Sequence, residues 1–89
     1  MAVISMSYGI IISMYYFAKR QHHLPHIHVR YQDQEAVLSI VDGEILGGEL
    51  KPNKLRLVQA WIEIHGEDLM ADWLLASQGL TVFTIDPLK

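Results

Sequence analysis

The chain has 89 residues and no cysteine, and 51% of its residues are hydrophobic. This length is that of one small domain spanning residues 1–89, and the hydrophobic content excludes a disordered chain. The lack of cysteine excludes disulfides and thiolate metal sites. The formal net charge of −3 is the sum of +3 on residues 1–32 and −6 on residues 33–89.

The first 17 residues are rich in apolar side chains, which raises the question of a signal peptide or a membrane anchor. No Lys or Arg precedes the apolar run and no small-residue cleavage site follows it, which opposes a secretory signal. The run is also shorter than the roughly 20 apolar residues of a membrane-spanning helix. Because β-branched and aromatic residues dominate residues 8–17, we predict a central buried strand there. We expect a cytoplasmic protein that does not contact a membrane.

Residues 26–31 alternate between polar and apolar side chains, which is typical of a strand. After a loop that ends at Pro25, the side chains of His26, His28 and Arg30 fall on one face of this strand. The apolar residues of the segment fall on the other face. We expect the apolar face to meet the core and the polar face to be exposed or to line a groove.

Two further strands are predicted to complete an antiparallel meander. Residues 35–41 and 44–46 flank Asp42-Gly43, a dipeptide that is typical of a two-residue hairpin turn. Gly47-Gly48 is interpreted as a turn or bulge rather than a phosphate-binding loop, because no Gly-rich nucleotide-binding motif surrounds it.

Two helices are predicted in the second half of the chain. Pro52 suits the first turn of the first helix, and Gly66 is predicted to end it in a left-handed conformation. The second helix follows from Glu67 to a cap at Gly79, and residues 81–85 form a possible edge strand. The order of elements predicts an α+β domain: a mainly antiparallel four-stranded sheet, a possible fifth edge strand, and two C-terminal helices packed on one face.

Several residues of these helices are interpreted as structural. Trp61 and Trp73 lie on apolar helical stripes and are predicted to be in the core, and Leu74 belongs to the same apolar face as Trp73. His65 is predicted to stabilise the end of the first helix, where a cation complements the helix dipole.

Four of the five histidines lie within seven residues, and this cluster is the strongest candidate for a chemical site. Histidine changes its charge near neutral pH and also serves as a proton shuttle or a metal ligand. One hypothesis is a metal-independent ribonuclease in which His26 and His28 act as acid and base and Arg30 holds the phosphate.

A small metal-binding protein is an alternative hypothesis. His26 and His28 share a strand face, and His22 or His23 would supply the third ligand of a site with one open position. No carboxylate precedes Asp33, and the neighbourhood is basic, which opposes binding of a divalent cation. We therefore predict neither a bound metal nor another cofactor.

Binding without catalysis is the hypothesis that the composition favours most. A basic loop beside a basic strand face would contact the phosphates of a nucleic acid. A small protein partner is expected to dock on the acidic second half or on the sheet edge, and the Tyr and Trp content permits a homodimer. The candidate residues for nucleic-acid contact are Lys19, Arg20, His22, His23 and Arg30.

Several short segments of the chain also form a recognisable set. They are His-Leu-Pro-His-Ile-His-Val at 23–29, Glu-Ala-Val at 35–37, Leu-Val-Gln-Ala-Trp-Ile at 57–62 and Leu-Met-Ala-Asp-Trp at 69–73, together with the opening Ile-Ser-Met-Ser-Tyr-Gly-Ile at 4–10. This set resembles the small bacterial domain-of-unknown-function family 4160 over nearly the whole chain. The positions that match its central motif are Pro25, His26, His28 and Val29, with Trp61 and Trp73.

The resemblance implies a small cytoplasmic bacterial protein that works with a second small protein in a toxin–antitoxin-like pair encoded by neighbouring genes. It supplies no catalytic residues, so it supports the fold and a partner rather than a reaction. We therefore predict a component of such a pair that binds a small protein and, through its His/Arg strand face, nucleic acid. The ribonuclease and the histidine metal-binding protein remain as alternatives.

Overall fold

The computed structural model describes residues 2–14 and 24–87. These residues form five strands and two helices: β1 (Ala2–Ser7), β2 (Ile10–Met14), β3 (His26–Tyr31), β4 (Gln34–Ser39), β5 (Ile45–Gly48), α1 (Pro52–Ile64) and α2 (Gly66–Ser77). The strands form one antiparallel sheet in the order β1-β2-β3-β4-β5. The predicted α+β class, with an antiparallel sheet followed by two helices, is therefore confirmed.

The N-terminal apolar run forms a hairpin rather than the single strand predicted for residues 8–17. Tyr8 and Gly9 have φ angles of 52° and 75°, and two successive positive φ angles are typical of a tight hairpin turn. This turn joins β1 to β2, so the fifth strand of the sheet lies at the N-terminus. Residues 81–85, predicted as a possible edge strand, are not a strand. Residues 15–17 lie outside the described residues.

β3 occupies the centre of the sheet, paired with β2 on one side and β4 on the other.

The turn predicted at Asp42-Gly43 is present but is longer than two residues. Only Gly43 has a positive φ angle, of 75°, and the backbone N–H of Ser39 donates to the carbonyl oxygen of Glu44 at 2.9 Å.

The pairing of β4 with β5 is irregular next to Gly47, in agreement with the predicted bulge. Val37 lies opposite Gly47 whereas Leu38 lies opposite Ile45, so Leu46 is an extra residue on β5. The neighbouring Gly48 has a φ angle of 74°, and the Glu35 carbonyl oxygen occupies the space that a Cβ atom would need there.

The two helices meet at a single residue, His65. α1 begins at Pro52 as predicted, but the prediction that Gly66 ends it in a left-handed conformation is wrong, because Gly66 is the first residue of α2. The predicted cap at Gly79 is confirmed. Gly79 has a φ angle of 74°, and the N–H of Leu80 donates to the carbonyl oxygen of Leu75 at 2.9 Å, which is a Schellman arrangement.

One apolar cluster joins the sheet to the helices. Trp61 and Trp73 belong to it, as predicted, and Lys54 of α1 lies 5.0 Å above the ring of Tyr31 on β3. The buried members are Ile4, Ile10, Ile12, Met14, Ile27, Val29, Ala36, Leu38, Ile40, Leu50, Val58, Trp61, Ile62, Leu69, Trp73 and Ile85.

Residues 80–87, here called the C-terminal strap, lie beside β1 and the two helices without forming a regular element. Hydrogen bonds connect the strap to β1, to α1 and to α2. The N–H of Ile85 donates to the carbonyl oxygen of Ile4 at 2.8 Å, and the indole N–H of Trp61 donates to the carbonyl oxygen of Asp86 at 2.8 Å. Another runs from the N–H of Phe83 to Oδ1 of Asp72 at 2.9 Å.

Candidate functional site

The described part of the histidine cluster begins with His26, whose side chain is buried. Only 7% of it is exposed, and its ring centroid lies 5.0 Å from that of Trp73 on α2. Its Nδ1 atom lies 2.8 Å from the carbonyl oxygen of Leu24. Because a carbonyl oxygen only accepts, Nδ1 carries the proton, which fixes the tautomer and the ring orientation. The polar face of β3 was expected to be exposed or to line a groove, whereas His26 is buried because Trp73 of α2 packs against it.

His28 shares its face of β3 with His26, as the alternation of the strand predicts. The two ring centroids lie 5.3 Å apart in an edge-to-face arrangement. His28 is half-buried and lies opposite Ser13 of β2 and Val37 of β4. The two imidazoles are close enough to contact one ligand, although the burial of His26 limits its access to solvent.

Arg30, the third candidate on this face, is exposed. It lies opposite Ile11 on β2 and Glu35 on β4. The guanidinium can bind a phosphate bidentately, but the neighbouring carboxylate of Glu35 lowers the positive potential around it. The three candidates therefore form a row along one strand, in which burial decreases from His26 to Arg30.

The other four candidates, Lys19, Arg20, His22 and His23, lie outside the described residues. Their contacts with nucleic acid remain predictions, as does a third histidine ligand for a metal. Within residues 2–14 and 24–87, no three His, Cys, Asp or Glu side chains are grouped as a metal site would require. Over the same ranges, no helix has both the length and the apolar character needed to cross a bilayer.

A second candidate site lies where α1 meets α2, and we call it the helix-junction groove. Val41 of the β4–β5 turn and Ile64 at the end of α1 are 72% and 73% exposed, and Leu74 of α2 is exposed beside them. The groove is lined by apolar Ile40, Val41, Ile64, Met70, Ala71 and Leu74 and by Glu63, His65, Gly66, Glu67 and Asp68. Single exposed apolar residues are normal, but a contiguous set is typical of a binding surface.

The sequence did not reveal this groove, because its apolar residues come from three separate elements. Leu74 is assigned by its helical stripe to the buried face of α2, yet it is exposed. The sequence contained one signal of an exposed apolar residue. Ile64, next to His65, lies at the end of α1 but outside the apolar stripe that packs this helix on the core. The ring centroids of His65 and Trp61 lie 5.3 Å apart, and Nδ1 of His65 lies 4.0 Å from Oδ2 of Asp68. These contacts agree with a structural role for His65.

Asp72 of α2 is a buried ionisable residue that the sequence also did not single out. Its side chain is 2% exposed, and its Oδ2 atom has no hydrogen-bond partner. Burial raises the pKa of this carboxyl above its ordinary value; the nearby Asp68 carboxylate adds to this effect, and the hydrogen bond from the N–H of Phe83 opposes it. Asp72 thus holds the C-terminal strap through one oxygen, while its other oxygen is buried and unsatisfied.

A protein-family model matches most of the chain. No curated protein and no solved structure is similar to the chain at a significant level. Residues 9–74, which include β2 to β5, α1 and most of α2, match the model of the family described as Domain of unknown function (DUF4160). Since this match covers well over half of the chain, the protein belongs to the DUF4160 family.

Proposed function

We propose that this protein is the partner-binding component of a toxin–antitoxin-like pair, and that it docks a small protein through the helix-junction groove. The contiguous exposure of Val41, Ile64 and Leu74 in one groove carries this proposal. Desolvation of such a surface is the main source of free energy in protein association. The exposed Arg30 and the half-buried His28 supply a second surface, for RNA, on the outer part of β3.

The position of the groove favours a binding role over a structural one. Val41 lies in a turn, Ile64 ends α1, and Leu74 lies on α2, so each side chain could be polar without loss of the core. Ile64 and Leu74 lie on the two helices that meet at His65, and the side-chain amide of Gln59 on α1 donates to the carbonyl oxygen of Gly43 at 3.0 Å, which connects α1 to the turn that carries Val41. A rigid, preformed apolar surface binds with a smaller loss of conformational entropy than a mobile one.

The test is co-purification of this protein with the product of the adjacent gene, followed by titration calorimetry. We expect a stoichiometric complex that Ile64→Ser weakens by one to two orders of magnitude, the effect typical of a central apolar contact. Phe83→Ser is the matched control, because Phe83 is 70% exposed but lies on the C-terminal strap, away from the groove.

Failure to form a complex would contradict the proposal, and so would equal weakening by the two variants. Both substituted side chains are exposed, so thermal unfolding should agree with that of the unmodified protein to within about 0.5 kcal/mol. A loss of binding by Ile64→Ser can then be assigned to the groove rather than to unfolding.

A metal-independent ribonuclease is the second candidate function, and the 5.3 Å separation of the His26 and His28 rings favours it. In this mechanism one imidazole takes the proton of the attacking 2′-hydroxyl and the other protonates the leaving oxygen. Expression should then arrest growth, and His28→Ala should relieve the arrest whereas the control His65→Ala should not. Absence of arrest, or equal relief by both variants, would contradict it.

A further inference from the structure

The helix-junction groove is bordered mainly by carboxylates. Glu63, Glu67 and Asp68 line it directly, and an adjoining cavity that also includes Val41 and Glu63 adds Asp42 and Arg56. Four carboxylates and one guanidinium therefore surround the exposed apolar side chains. His65, the other basic residue of the groove, lies within 4.0 Å of Asp68. The electrostatic potential of this surface is negative, which attracts cations.

The helix ends at the groove contribute little net potential. The negative end of the α1 dipole and the positive end of the α2 dipole meet at His65, so the two backbone contributions largely offset each other. The carboxylates therefore set the sign of the potential, and the groove favours a cationic occupant.

The same charges oppose a second copy of this chain as the occupant. In a symmetric dimer, a surface meets the identical surface of the other subunit. Two such grooves would bring their carboxylates together in a desolvated interface, which is unfavourable. A partner with apolar anchors and flanking Lys or Arg residues satisfies both the apolar and the acidic parts of the groove.

We infer that the helix-junction groove takes a cationic segment of the partner protein, with an apolar anchor between Val41, Ile64 and Leu74 and basic side chains against Glu63, Glu67 and Asp68. This inference rests on the proposed function and specifies the chemistry of the partner. It predicts an association that depends on ionic strength, because exposed ion pairs are screened by salt.

The experiment measures binding of the purified product of the adjacent gene by calorimetry, between about 0.05 and about 0.5 M NaCl. The affinity should decrease about tenfold over this range, and the triple variant Glu63→Gln, Glu67→Gln, Asp68→Asn should bind about tenfold more weakly at low salt, as expected for three exposed ion pairs. The matched control is Asp33→Asn, Glu35→Gln, Glu49→Gln, which removes three exposed carboxylates elsewhere.

The outcomes separate the inference from the proposed function. A complex that is insensitive to salt, or that both triple variants weaken equally, would overturn the inference and leave partner binding intact. A dimer of this chain alone that Ile64→Ser dissociates would also overturn it. Absence of any complex would overturn both. Because Glu67 and Asp68 support the start of α2, the single variant Glu63→Gln provides a test outside that turn, with about twofold weakening expected.

Discussion

Asp72 shows how one buried charge can influence both stability and the C-terminal strap. A carboxylate oxygen that is buried without a donor is unfavourable, because water would otherwise solvate it. Oδ2 of Asp72 is in this position, whereas Oδ1 accepts from the N–H of Phe83. The residue therefore provides a necessary strap contact and a destabilising buried charge at the same time.

The raised pKa of Asp72 gives a definite pH dependence. Between the ordinary value of 3.8 and the raised value in the folded protein, the folded state binds more protons than the unfolded state. The contribution of Asp72 to the free energy of unfolding therefore decreases as pH rises through this window. Asp72→Asn keeps an oxygen for Phe83 but carries no charge. Its stability relative to the unmodified protein should increase with pH, as measured by urea unfolding from about pH 4 to about pH 8.

Glu67→Gln serves as the control, because it removes an exposed carboxylate on the same helix, five residues from Asp72. Its stability difference from the unmodified protein should change little over the same pH range. If the Asp72→Asn and Glu67→Gln differences follow the same pH profile, the raised pKa of Asp72 does not contribute to stability.

Gly48 provides a second prediction at the scale of one residue. A side chain there would require a φ angle near 74° and would collide with the Glu35 carbonyl oxygen. We expect Gly48→Ala to reduce the free energy of unfolding by about 2–4 kcal/mol. Gly47→Ala is the matched control, because a Cβ atom at Gly47 meets nothing within 4 Å, and its effect should stay within about 1 kcal/mol. Equal effects in denaturant unfolding would contradict this account.

At the scale of elements, the C-terminal strap is part of the core although it is not a strand. Ile85 is buried beside Ile4, while Phe83 points away and is largely exposed. Ile85→Ala should therefore reduce the free energy of unfolding by about 2–3 kcal/mol, as expected for a core aliphatic side chain. Phe83→Ala should change it by about 0.5 kcal/mol or less, since the hydrogen bond to Asp72 uses the backbone of Phe83.

Denaturant unfolding of the two strap variants measures these differences. A negligible effect of Ile85→Ala would mean that the strap detaches from β1 without exposing the core. A large effect of Phe83→Ala would mean that the strap packs through its outer face. Either result would contradict the arrangement described here.

The elements with clear local signals could be predicted from the sequence, and those that depend on tertiary contacts could not. Strict alternation located β3, and Pro52 and Gly79 marked helix ends. The hairpin at Tyr8-Gly9 was missed because apolar residues on both sides conceal the turn. Residues 81–85 have the composition of a strand, but only one backbone hydrogen bond, from Ile85 to Ile4, connects them to the sheet.

In the candidate site, too, the features with a local sequence signal could be predicted and those that depend on tertiary contacts could not. The period of two residues in a strand placed His26 and His28 on one face, and their rings are indeed adjacent. The burial of His26 could not be predicted, because it depends on Trp73, which is distant in sequence and approaches only after α2 folds onto the sheet. The helix-junction groove was not predictable for the same reason.

At the scale of the whole molecule, the two candidate surfaces differ in the sign of their charge. The helix-junction groove is acidic, whereas Arg30 is an exposed cation on the sheet, with Glu35 opposite. The net charge of −3 disfavours general attraction of RNA, so any binding must depend on local cations. The arrangement therefore predicts weak, strongly salt-dependent binding of RNA in which Arg30 takes part and Arg56, beside the groove, does not.

A single-stranded RNA oligonucleotide titrated at several salt concentrations tests this prediction. Arg30→Gln should weaken binding and lower the slope of log affinity against log salt by about 0.7, the contribution of one phosphate contact on a single strand. Arg56→Gln, which removes the same charge, should leave the slope unchanged. Glu35→Gln should strengthen binding, because it removes the carboxylate opposite Arg30. Equal effects of the two arginine variants would show that RNA responds to net charge rather than to the His/Arg face of β3.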